Sequence, residues 1–141
     1  MRAEDKADTQ LLTILMDIDG TLCPVKGKEE RYEELIPYAA MVEKLRAYHE
    51  AGAKIVLFTS RNMRTYSGNL GQINTHTAPV LLEWLRKWEI PYDEIIYGKP
   101  WPGKVGFYVD DRSVRPDEFM RYKPEELMEV CKSSRLDEKM E

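Results

Sequence analysis

The sequence predicts an α/β fold, a parallel sheet covered by helices. Three observations carry that prediction. Short apolar runs, such as 11–16 and 55–58, do not alternate in polarity, as expected of strands buried on both faces. Segments with apolar residues at helical spacing lie between them, giving a strand, helix, strand, helix, strand order. Each apolar run ends in an acid, a hydroxyl or a Gly-Lys pair, which is where ligands bind in such sheets, beyond the carboxyl ends of the strands.

The elements follow in order. The run LLTILMD at 11–17 reads as a strand, and Asp19-Gly20 supplies turn chemistry after it. Residues 22–36 are mixed and charged, a loop or short flap. Pro37 suits a helix start, and the helical spacing that follows ends at Gly52. AKIVLFT at 53–59 is β-branched, hence a strand. Residues 60–75, with Gly68 and Gly71, read as a long irregular loop, and 77–89 as a helix with Trp84 and Trp88 on one buried face. DEIIYG at 93–98 is a short strand, and VGFYVD at 105–110 another. Residues 116–121 read as a turn, and Pro124 opens a last helix running through Cys131. Polar residues 1–10 and 133–141 read as loose tails around one domain, 11–132.

Composition bounds the function. The chain has 141 residues, 43% of them hydrophobic, enough for a single packed core. Its net charge of −4 argues against a dedicated nucleic-acid binder. No apolar run approaches the roughly 20 residues of a membrane helix, and no secretory signal opens the chain. Two cysteines, Cys23 and Cys131, are too few for a disulfide scaffold, so the expectation is a reduced, cytoplasmic protein.

The strand ends carry the chemistry. Asp17 and Asp19 follow the first strand, Thr59, Ser60 and Arg61 the second, Lys99 the third, and Asp110 and Asp111 the fourth. Singly, these are ordinary turn, cap and surface residues. Together they place several carboxylates at one edge, where they repel one another unless a cation joins them. Mg²⁺, hard and oxygen-seeking, suits that role. Asp17 comes straight off its strand and is the expected nucleophile, forming an aspartyl-phosphate. Asp19, two residues on, is the expected general acid and base. Mg²⁺ would bridge Asp17 and the phosphoryl oxygens, with Asp110 completing its site. Thr59 and Lys99 would stabilise charge on the transferring group. In the 60–75 loop, Arg61 and Arg64 are placed to grip a second anionic group, or else pair with local acids. Ser60 and Asn62 stand beside the phosphate-binding Thr59, where Asn62 would reach a sugar hydroxyl.

These motifs resemble the haloacid dehalogenase superfamily of phosphotransferases. DIDGT at 17–21 is similar to its first motif, IVLFT to its second, GKP at 98–100 to its third and FYVDD to its fourth, in order. The resemblance implies a Rossmann-like three-layer sandwich with the first strand central. It implies Asp17 as nucleophile and Mg²⁺ ligand, Asp19 as acid/base lending its backbone carbonyl to the metal, and Thr59 on phosphate. Lys99 would hold Asp17 and the phosphoryl group. Asp110 would bind Mg²⁺ directly and Asp111 through water or from one layer out. The gaps between the first and second and the second and third motifs each hold one helix with its loops, so there is no cap domain. Capless members resemble enzymes that act on large substrates or assemble so that a neighbour closes the site, which leaves room for a homo-oligomer. TSRN and GKP look loosely like small phosphatases of capsule and surface-polysaccharide synthesis. The expected activity is a Mg²⁺-dependent phosphomonoester hydrolase acting on a small phosphorylated metabolite such as a sugar phosphate. A nucleic-acid end phosphatase and a non-catalytic phosphate- or metal-binding module are the alternatives.

Overall fold

The structure is a computed structural model that describes residues 12–139. Three parallel strands form its sheet in the order β1-β2-β3: β1 (Thr13–Met16), β2 (Lys54–Thr59) and β3 (Glu94–Tyr97). Register is set by apolar pairs, with Ile14 beside Ile55 and Leu57 beside Ile95. Helix α1 (Ala39–Glu50) links β1 to β2, and α2 (Leu70–Lys87) links β2 to β3. Three short helices follow, α3 (Pro116–Arg121), α4 (Pro124–Ser133) and α5 (Leu136–Lys139). This is a Rossmann-like α/β arrangement. No helix among the described residues is long and apolar enough to cross a membrane.

The core is continuous. Met41, Val42, Leu45 and Tyr48 of α1 meet Leu81, Trp84 and Leu85 of α2 around Met16, Ile55 and Leu57 of the sheet. Trp84 sits at its centre and donates its indole N–H to the Leu35 carbonyl at 2.7 Å, so its polar atom is satisfied. Trp88, one turn on, packs against this core from its rim.

Both long helices end in a left-handed cap. Past α1, Gly52 takes φ +106 while Gly52 N–H donates to His49 and Ala53 N–H to Tyr48, a left-handed cap that favours glycine. Past α2 the same pattern recurs with Glu89 at φ +53, its N–H donating to Arg86 and that of Ile90 to Leu85. Helix α2 starts seven residues earlier than its periodicity predicts. Asn69 caps it, its side chain accepting from Gln72 N–H at 3.1 Å. The irregular link is therefore 60–69, and Gly71 lies within the first turn.

Four expectations fail. The predicted strand at 105–110 does not form, and its apolar side chains stand in solvent. Consequently, among the described residues β1 is an edge strand and β2 the middle one, whereas the resemblance places the first strand centrally. The expected turn at 116–121 is α3, with Pro116 opening it and the Glu118 carboxylate accepting from Arg115 N–H at 2.9 Å. At the end of the chain, 136–139 form one helical turn where a loose tail is expected. The tail expected over residues 1–10 lies outside the described residues.

Candidate functional site

The site grows out of the end of β1. Ile18 is fully buried, and its carbonyl accepts from the N–H groups of Thr21, Leu22 and Cys23 at 3.1, 2.8 and 3.3 Å. That knot buries Leu22 and Cys23 and folds the chain back on itself. Asp17 and Asp19 flank the buried Ile18, so strand alternation turns both carboxylates the other way, half-buried.

Each acid has its own cation. Asp17 lies 3.4 Å from the Lys99 ammonium and accepts from the Thr21 hydroxyl at 3.3 Å. Lys99 is held from behind: its N–H donates to the Thr59 carbonyl at 3.0 Å, carrying the β2–β3 pairing one residue past the sheet. Gly98 permits this bend at φ +83, where any Cβ would stand 2.5 Å from Leu70 Cδ2. Asp19 makes a two-pronged pair with Arg61, Nε to Oδ2 and Nη2 to Oδ1, both 2.9 Å. The Arg61 side chain is only 1% exposed and lies 4.2 Å from the centre of the Tyr32 ring. Cys23 closes this cluster, with its thiol 3.7 Å from Asp19 Oδ1 and 3.8 Å from Arg61 Nη2. Burial first, then the Asp19 charge, pushes that thiol up to about 12.

Of the residues singled out by sequence, Asp17, Asp19, Thr59, Arg61 and Lys99 come together at the carboxyl edge. Thr59 is buried, and its hydroxyl accepts from Arg61 N–H at 3.1 Å. Arg61 is not free to grip substrate, because its guanidinium is buried and spent on Asp19. Asn62 is likewise committed: at φ +62, it accepts from the Thr77 hydroxyl at 2.6 Å and donates to Thr65. Its side chain shapes the loop rather than facing a ligand. Ser60 is half-buried, and its carbonyl accepts from Met63 N–H. Arg64 is exposed, 6.0 Å over the Trp101 ring.

Asp110 and Asp111 do not join them. Both are exposed; Asp110 accepts from Arg112 N–H, and Asp111 lies 3.7 Å from Arg135. Among the described residues no three His, Cys, Asp or Glu side chains stand where they could share a metal ion. Two acids are matched by two bases, so the repulsion that called for Mg²⁺ is relieved here by Lys99 and Arg61. This arrangement of side chains does not fit a Mg²⁺ site, and no step below passes through one.

Two participants had no signal in the sequence. Tyr32, far along the flap, forms the floor under Arg61. Tyr108 brings its ring 4.7 Å from the Lys99 ammonium and donates its hydroxyl to the Pro100 carbonyl. Burial, then the nearby Asp17 charge, raises its phenol above the ordinary value. A shallow depression of about 300 Å³, lined by His49, Gly52, Ala53, Lys54 and Asp93, lies at the opposite, amino edge.

Fold and site together define a small Rossmann-like α/β protein with paired acids and bases at the carboxyl edge of a parallel sheet. A crystal structure of a structural-genomics target from Vibrio cholerae superposes on it with a TM-score of 0.82, covering 89% of this chain and all of that one at 46% identity. This chain belongs to the same family as that Vibrio cholerae protein, which carries no functional name. No family model and no curated protein matches the chain.

Proposed function

We propose that this protein is a phosphomonoester hydrolase working through an aspartyl-phosphate on Asp17, with a phosphorylated sugar or related metabolite as substrate. The observation that carries the reading is the Asp17–Lys99 pair at 3.4 Å, built on a Lys99 backbone tied to Thr59. It puts an anionic nucleophile and a fixed positive charge at the edge where such sheets bind ligands. The four motifs resembling the haloacid dehalogenase superfamily are its support in sequence.

The steps use this chain's own groups. An Asp17 carboxylate oxygen attacks phosphorus, and the bond from phosphorus to the ester oxygen breaks. Asp19 relays the proton of the monoanionic phosphate ester to the departing oxygen, then takes one from the water that attacks the acyl phosphate. That water's oxygen leaves with inorganic phosphate, and Asp17 is regenerated. Lys99 offsets charge gathering on the phosphoryl oxygens. Asp19 releases one Arg61 contact for its proton transfers and keeps the other, which holds its orientation.

The test is hydrolysis of p-nitrophenyl phosphate and a panel of phosphorylated metabolites, with and without added Mg²⁺. Asp17→Asn is expected to lower kcat at least about 1,000-fold with the fold intact by circular dichroism. No turnover by the wild type under any of these conditions, or undiminished turnover by Asp17→Asn, overturns the reading.

A further inference from the structure

We propose that residues 105–109 are an exchanged strand: they add to the open edge of β1 in a second copy of this chain, and the two-fold pair sets each copy's Asp110 beside the other's Asp17. Val105, Phe107 and Val109 are 95%, 80% and 90% exposed. They occupy alternate positions, one face of a strand with nothing against it. Among the described residues the outer edge of β1 is equally bare: β1 pairs only with β2, and Leu15 is 59% exposed. An unpaired strand edge beside an unpaired apolar strand sequence is the situation that strand addition resolves.

Chain direction selects the partner copy over the chain's own β1. Gly98 follows β3 at the carboxyl edge. Helix α3 packs at the amino edge, where the Phe119 ring stacks 5.3 Å from Tyr48 and the Tyr48 carbonyl accepts from Ala53 N–H just before β2 begins. Residues 98–115 therefore lead from one edge to the other, and 105–109, once extended along that path, would run antiparallel to their own β1. Docked there, they would leave Asp110 at the edge remote from Asp17. Parallel docking on the same β1 needs a return crossover of a dozen or more residues, and 98–104 supply seven. Two-fold symmetry removes the conflict. Its axis, perpendicular to the strands, points the partner's β1 the other way, so the descending segment lies parallel to that strand. Val109 then stands beside Met16 and Asp110 level with Asp17 of the other copy. The link travels only sideways, about four strand spacings or roughly 19 Å, within the roughly 23 Å that seven extended residues reach.

Exchange gives up the Tyr108 contacts with Pro100 and Lys99 at the rim. It covers three large apolar side chains and an open edge on each copy, on the order of 1,000 Å² in total, the floor for a specific interface. It also brings the partner's Asp110 and Asp111 carboxylates beside Asp17, at the edge where the single chain leaves them apart. This last consequence rests on the proposed phosphatase reading; the exchange does not.

Light scattering should find a dimer in the wild type and a monomer, still folded by circular dichroism, in the double variant Val105→Asp, Phe107→Asp. Those side chains touch little in the isolated chain, so its fold tolerates the change. A wild type that is monomeric at every concentration, or a dimer that survives the double variant, overturns the exchange. Asp17→Asn and Asp110→Asn are then co-expressed with different tags. Each alone should be inactive, and their mixture should recover about a quarter of wild-type turnover, one intact site in every four. A silent mixture, or full activity in Asp110→Asn alone, overturns the shared site. A strand-dependent dimer without phosphatase turnover supports the exchange and overturns the proposed function instead.

Discussion

Arg61 shows how one residue changes meaning once its neighbours are known. Its guanidinium is buried against Tyr32 and binds Asp19 through both prongs. Truncating one member of such a pair leaves the other without its counter-charge. Arg61→Ala should therefore lower unfolding stability by about 3 kcal/mol in urea titrations. A loss below about 0.5 kcal/mol would mean the pair is no more than a surface contact. Cys23 belongs to the same cluster. Its thiol, pushed up to about 12 by burial and by Asp19, stays protonated at neutral pH. Iodoacetamide at pH 8 should label the half-buried Cys131 and spare Cys23 until the protein unfolds, as read by peptide mass spectrometry. The sequence offered Arg61 two roles, an anion grip or an ion pair with a local acid. Only folding could decide, because Asp19 and Arg61 are brought together by β1 pairing with β2.

At the scale of elements, helix ends were more legible than strands. Pro37 and Gly52 bracket α1 because a proline ring and a left-handed cap act locally. The end of α2 departs from that rule by placing Glu89 where glycine is favoured. Glu89→Gly should raise stability by about 0.5–1 kcal/mol, seen as a higher melting temperature, since both backbone bonds of the cap remain. A lower melting temperature would show that the Glu89 side chain contributes more than its backbone strain costs. The start of α2 was hidden because Gly68, Asn69 and Gly71 look like loop residues, and Asn69 reveals itself as a cap only when its side chain is seen on Gln72 N–H. The apolar run 105–110 reads as a strand by composition, yet a strand exists only if an edge is within reach. In the exchange proposed above, the edge within reach is that of a second copy.

For the whole molecule, Asp93 ties the sheet together from its amino edge. Its carboxylate accepts from Ile55 N–H at 2.8 Å, its own N–H donates to the Ile55 carbonyl at 2.8 Å, and His49 lies 3.4 Å away. The Ile55 hydrogen bond, more than the His49 charge, holds the Asp93 carboxyl below its ordinary 3.8. A carboxyl lowered in the native state stabilises the fold above its unfolded value, and that stability is lost as pH falls through the native one. Melting temperature should thus fall on acidification through and below pH 3.8, and Asp93→Asn should flatten that fall while lowering stability at neutral pH. An unchanged acid slope in the variant would assign acid unfolding to other carboxylates.

Local pattern along the chain is enough for the class of fold, for the succession of three strands and two long helices, and for the positions after those strands where charged groups gather. Those are properties of periodicity, caps and turns, which act over a few residues. Tertiary structure decided how the charges pair: Lys99 with Asp17, and Arg61 with Asp19, leaving Asp110 and Asp111 apart. Pairing depends on which edges meet and which way each segment runs, and such contacts join residues about 40 or more apart that no local pattern encodes.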